Sequence, residues 1–480
     1  MPPYARASLS LEYCENQRYM ATAQTTMRAS LHPGSGPVTH DAPSIRSIWP
    51  APPITLLLVA LVLPLAFSVG PIALSPYRFV LLVLTIPTLG SWLSGKAGRI
   101  RAADILLLLF CLWCALAILA VHGPEQAFEA GGMLCVETFV AYLIARCHIR
   151  TQDDFRATAR VILILTLFLL PLALFETISG QKPTLSLFRA LGPTIQEVAV
   201  EPRWGLTRAQ GPFEHPILFG VFSGGSVALI HLAMEGKIGF LQRWTMTGLG
   251  CLTVVLSMSS GPIAALLLQL GLIAWNTLFK GVSSRWRVLW GIGAIVYVVA
   301  ESATAATVPQ ILTRFAFDQW TAFYRLLIFD YGWASVMAHP FFGTGFGDWL
   351  HPAWMSPSID MFWMVSAIRH GLPAVTLLLL AFLTAVIGVG LRPIADGTLY
   401  ACRAGYIISM AGFFAVGWTV HFWNATHVLF FCLLGSGMWI LDAPDEPDKV
   451  ATRTRSARSR PLGLSRDPQA LARRSSCASS

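Results

Sequence analysis

Apolar residues in this chain come in runs of about 20, and that spacing constrains the fold more than any other feature. An α-helix of that length rises about 30 Å, the thickness of a bilayer's hydrocarbon core. Twelve such runs are read between 51 and 441: near 51–69, 73–93, 103–121, 128–145, 160–179, 214–234, 244–258, 261–279, 287–305, 364–390, 401–420 and 424–441. Hydrophobic residues make up 55% of the chain and charged residues only 12%, against about 25% charged in soluble domains. A soluble enzyme, a secreted disulfide scaffold and a disordered protein are therefore excluded. The predicted fold class is an all-α integral membrane protein of about 12 transmembrane helices. Residues 1–50 have no apolar core, so no cleavable signal peptide is expected ahead of the first span.

The net charge of +9 is mostly orientation signal. If both termini are cytoplasmic, the inner loops and tails collect most of the Lys and Arg, as the positive-inside rule requires. The tails, 1–50 and 442–480, are rich in Ser, Ala, Pro and Arg and read as disordered. The basic run at 449–460 suits anionic headgroups of the inner leaflet. No nucleic-acid partner is expected, because the run lacks aromatic interleaving or a fold around it. The nine cysteines imply no disulfide framework, and CLWC at 111–114 sits inside an apolar run without a second pair.

Eight cations fall on the outer side: Arg78, Lys182, Arg189, Arg203, Arg208, Arg314, Arg325 and Arg369. Six of them lie in two long loops, near 180–213 and 306–363, which on the periplasmic face would suit an anionic ligand. In the longer loop, residues 318–337 fit an amphipathic helix. Trp320, Phe323, Leu327, Tyr331 and Ala334 make one stripe, with Asp318, Arg325 and Phe329 opposite. The glycines at 343, 345 and 347 follow no strand and precede no Lys, so backbone flexibility is a better reading than a phosphate loop. The loop's dense aromatics suit either a membrane interface or sugar rings.

The stretch YRLLIFDYGWASVMAHPFFGTGFGDW, then D-x-F-W, then RHGLPA at 369–374 resembles the O-antigen ligase and polymerase superfamily. RAQGPFEHPILFG at 208–220 is similar to that family's earlier R-x-x-G-x-F motif. The likeness covers roughly 200–440. It implies a bacterial inner-membrane glycosyltransferase for surface or exopolysaccharide biosynthesis, working at the periplasmic face. Its implied partners are an undecaprenyl-diphosphate-linked glycan donor, a glycan or lipid-linked acceptor, membrane lipids and other polysaccharide assembly proteins. By resemblance Arg208 and Arg325 bind the diphosphate, with Arg203 and Arg314 as second-choice ligands. No cofactor and no metal is implied.

Many relatives carry a His eleven residues before the glycine of G-L-P-G. Counting back from Gly371 lands on Asp360, the leading candidate base. His339, in the HP turn, is a second catalytic candidate, and His215 and His351 are alternatives beside prolines. His421, Asn424 and His427, at the end of the last hairpin, fit either the lining of the same cavity or, as such residues more often do, interfacial caps. The competing classes are a 12-helix secondary transporter, although the halves show no repeat, and a polysaccharide-export partner, which would tolerate loss of Arg208 and Arg325.

Overall fold

The computed structural model describes residues 49–69, 72–303 and 319–444. These residues are helical apart from loops and one short hairpin. The helices are α1 (Pro52–Ala60), α2 (Pro76–Leu93), α3 (Ala102–His122), α4 (Pro124–His148), α5 (Gln152–Ser179), α6 (Pro183–Arg189) and α7 (Pro216–Ala233). They continue with α8 (Phe240–Leu256), α9 (Ser260–Leu278), α10 (Arg285–Ala303), α11 (Gln319–Ala338), α12 (Phe362–Leu391), α13 (Gly397–Val416) and α14 (Ala425–Ser436). The hairpin pairs β1 (Phe67–Val69) with β2 (Ile72–Leu74).

Among the described residues, eight helices are long and apolar enough to cross a membrane: α2, α3, α4, α5, α7, α9, α12 and α13. This is a multi-pass membrane protein. Its exterior carries Ile86 at 82% and Phe128 at 87% exposure, a surface that only lipid favours. The interior holds the polar groups, including Asp104, Arg146, Glu176 and Gln269.

The expected twelve spans are not all borne out. The run at 51–69 yields only the nine residues of α1, about 14 Å of helix. Pro64 follows α1, and the chain then turns into the hairpin. α8 has 17 residues, and the last run divides into α14 and the 3₁₀ turn Met438–Leu441. α10 is long enough, but its sequence opens on Arg285-Trp286-Arg287 and falls short in apolarity.

α7 forms the centre, with 94% of its span buried. Its small residues permit close approach. A Cβ on Gly225 would run into the Phe413 ring, and one on Gly220 into Ser257 and Pro262. At the end of the bundle opposite the 180–213 loop, the Asp104–Arg146 pair is fully buried at 3.6 Å. The Tyr142 hydroxyl donates to Asp104 at 2.5 Å, and Arg146 donates to the carbonyls of Ala97 and Arg99.

α12 is broken at Gly371 (φ 82°). In lipid such a break must find new partners for the freed backbone groups. Thr344 N–H donates to Ile368 O at 2.8 Å, Gly345 N–H to Arg369 O at 3.0 Å and the Trp113 indole to His370 O at 3.0 Å. Leu372 N–H returns to Pro340 O at 2.7 Å. The glycine-rich stretch 343–347 is thus a plug for the broken helix, with Gly343 and Gly345 at positive φ. The stretch is held by hydrogen bonds, where the sequence suggested flexibility.

The Gly371→Ala substitution should lower the melting temperature of the purified protein clearly. The positive φ alone costs about 1–2 kcal/mol, and the new Cβ would meet the Phe341 carbonyl. Gly388→Ala on the same helix, with open space around it, should melt like wild type.

Candidate functional site

α11 spans Gln319–Ala338, close to the expected 318–337, and is rotated so that the expected apolar stripe is turned away from the bundle. Its packed residues are Ile328, Gly332, Ser335 and Val336, while Trp320, Phe323 and Tyr331 of the predicted stripe are exposed. In a membrane protein the apolar stripe marks the face turned outward. Arg325 falls three residues before Ile328, on the side that packs against α12 near Met364 and Ile368.

That rotation brings Arg325 to a cavity of about 310 Å³ lined also by Arg203, Arg208, His215 and Asp360. Five of the seven predicted site residues therefore meet at one place. Arg314 lies outside the described residues. His339 is fourteen residues beyond Arg325 on the same helix, roughly 20 Å along its axis. It is exposed at the helix end and does not line the cavity, so this geometry does not support the catalytic assignment for it. His351 pairs instead with Asp348 at 3.0 Å, and His427 with Thr138 at 2.9 Å. Of the two readings for His421, Asn424 and His427, the cavity lining is not met, since none of the three lines this cavity.

Each arginine is positioned by the bundle beneath it. Residues 207–211 are pinned to the end of α5: Gln210 and Gly211 N–H donate to the Glu176 carboxylate at 2.9 and 3.0 Å. Ala209 N–H donates to Leu256 O at 3.0 Å. Arg208 then reaches the α8–α9 corner, donating to Ser257 O at 3.3 Å and to Ser259 Oγ at 2.8 Å. Arg203 donates to the carbonyl of Met258, a residue held at φ 45°. Arg203 itself begins a tight turn whose central Trp204 and Gly205 both have positive φ. Arg325 donates to Thr419 O at 2.7 Å and to Thr321 O at 3.1 Å.

Arg203 and Arg208 thus rest on neutral oxygens. Burial, then repulsion from Arg203 and Arg325, lowers Arg208 to about 10. It stays charged at neutral pH, and an anion in the cavity would relieve the repulsion.

His215 caps α7, and its Nδ1 accepts from Ile217 N–H at 3.1 Å. Burial, and next Arg208, lowers its pKa to about 4. The neutral ring with Nδ1 so occupied carries its proton on Nε2, so towards the cavity it is a donor and not a base. Asp360 sits in an extended stretch between the buried Ile359 and Met361, which turns it to the opposite side. Ser358 Oγ donates to its Oδ1 at 2.7 Å.

Sequence reasoning missed the other polar lining groups: Glu201, Ser259, Ser260 and Thr321. Loop and helix-end residues of these types are too common for spacing to single them out. Among the described residues, no group of three or more His, Cys, Asp or Glu is placed to hold a metal ion. No protein-family model and no curated protein matches the chain.

The depressed His215 sets a pH dependence. Unfolded, it takes a proton near 6.5; folded, near 4. Between those values the unfolded chain binds more protons, so stability falls as pH drops from 6.5 to 4 and is unaffected above. His215→Gln should make that part of the curve shallower by one histidine's share in melts between pH 7 and 4.

Proposed function

We propose that the protein is an inner-membrane glycosyltransferase of the O-antigen ligase and polymerase type, acting at the periplasmic face without a metal. It would move a glycan from undecaprenyl diphosphate to a glycan or lipid-linked acceptor for surface or exopolysaccharide biosynthesis. The orientation with both termini cytoplasmic belongs to the same reading. One observation carries it: Arg203, Arg208, Arg325, His215 and Asp360 face one cavity, although three separate stretches of chain supply them.

A guanidinium fork matches phosphate oxygens in pairs and suits a diphosphate better than a point charge does. The acceptor hydroxyl oxygen attacks the anomeric carbon from the face opposite the diphosphate. The O–C1 bond forms as the C1–O bond to phosphate breaks, with inversion. The hydroxyl proton passes to the Asp360 carboxylate. The electron pair of the broken bond goes to the diphosphate, where the arginines and the Nε2–H of His215 stabilise the charge.

A deletion strain complemented at matched membrane levels tests this. Arg208→Ala and Arg325→Ala should reduce surface polymer by about a hundredfold or more, on the scale of losing a charge-stabilising donor. Lys at either position should restore only part of it. Asp360→Asn should lose activity while leaving membrane levels intact. Single lipid-linked repeats accumulating in the variants mark a polymerase, and long lipid-linked chains mark a ligase. Unchanged glycans in every variant overturn the transferase and favour a transporter.

A further inference from the structure

A second cavity, of about 340 Å³, lies beyond the wall that bounds the first. The wall is the chain around 195–203 together with the pair Glu214-His215. Ile195, Gln196 and Val198 line the second cavity and Val200 to Arg203 the first; Glu214 faces the second and His215 the first.

The second cavity's polar groups form a network rather than a scatter. Arg78 pairs with Glu137 at 2.6 Å and donates to Asn424 Oδ1 at 3.3 Å. Asn424 Nδ2 donates to Glu214 Oε1 at 2.7 Å. Two members are held in uncommon backbone: Glu137 lies in the π-helical turn Val136–Val140 of α4, and Asn424 has φ 52° and ψ −130°. Both features gather at functional sites. Among the described residues, the buried Oε2 of Glu214 in this cavity has no hydrogen-bond partner, and the buried Ser75 Oγ has only the neighbouring Tyr77 hydroxyl. Buried polar atoms seldom stay unsatisfied without a role.

The charges here suit neither an anion nor a cation. Arg78 is already matched by Glu137, and Glu214 would oppose a phosphate. Apart from Tyr77 and Gln196, the rest of the lining is apolar, from Leu65, Phe67, Leu74 and Ile195. A ligand that fits is neutral, with several hydroxyls and an apolar C–H face. From this geometry we infer that the second cavity binds a saccharide ring whose hydroxyls donate to Glu214 and Ser75, beside a chain wall shared with the diphosphate pocket. Its place in a reaction, as acceptor ring or as donor ring, rests on the transferase reading above. Binding itself does not.

The test uses the full-length protein in phosphatidylethanolamine–phosphatidylglycerol nanodiscs and calorimetric titration with two probes. One is inorganic diphosphate. The other is an oligosaccharide of one to three repeats, made by partial acid hydrolysis of the host's surface polysaccharide. Glu214→Gln puts a donor where an acceptor stood and should weaken oligosaccharide binding about tenfold, the scale of one hydrogen bond to a charged group. Ser75→Ala, a milder change that keeps the fold, should weaken it severalfold. Neither should alter diphosphate binding, which Arg325→Ala should abolish while sparing the oligosaccharide. Oligosaccharide binding that survives both Glu214→Gln and Ser75→Ala, or is absent in wild type, overturns the inference. Loss of the diphosphate arm alone strikes the transferase reading and leaves the saccharide site standing on its own arm. With activity in hand, a raised KM for added acceptor in Ser75→Ala assigns the acceptor ring, and a raised KM for the lipid-linked donor assigns the donor ring.

Discussion

Hydrocarbon offers no hydrogen bonds, so every backbone group freed inside this protein has to be answered by the protein itself. Much of the architecture follows from where helices stop. The corner between α8 and α9 leaves the carbonyls of Ser257 and Met258 to the guanidiniums of Arg208 and Arg203. Thr419 O, just past α13, goes to Arg325, and Ala233 O, at the end of α7, goes to Arg156 at 3.0 Å. Cations at helix C-termini satisfy orphan carbonyls and meet the negative end of the helix dipole at once. Three of these caps also face the first cavity. The groups that close the bundle's helix ends there are the groups that would meet a ligand.

This double duty accounts for the placement of like charges. Three guanidiniums around one cavity repel each other, and this repulsion adds to burial in lowering the pKa of Arg208. Each is held regardless, because withdrawing it would strand a carbonyl. Charge is thus concentrated before any ligand arrives, and little rearrangement remains for binding. The second cavity follows another rule: its cation is matched, and its unused capacity lies in oxygens.

Much of this was legible in the sequence, and the exceptions have physical causes. Apolar run lengths found most helices, since lipid thickness fixes that length. They failed at 51–69, where Pro64 breaks the run and the hairpin follows. Periodicity found α11 almost to the residue but did not say which face packs inward, because the inward side of a membrane protein is not its most apolar one. Arg203, Arg208 and Arg325 stood out as cations against the orientation trend, and Asp360 only through the family resemblance, which implies a base eleven residues before Gly371. Ser75, Glu137 and Glu214 gave no such signal, and that of Asn424 pointed to the other cavity. They belong to four distant segments and have meaning only once α2, α4, α7 and α14 are packed.

The break in α12 reaches further than its own turn. The 340–345 segment that plugs it is the direct continuation of α11, and α11 is pressed to α12 at Gly332, where a Cβ would meet Ile368 and Met364. Arg325 is therefore carried on an arm whose far end is locked into a neighbouring helix. Aim at the cavity is set at a distance: a change of volume near Gly371 would swing the guanidinium without touching it. Sequence drift at this remote joint offers a way to retune the pocket while every residue that lines it stays the same.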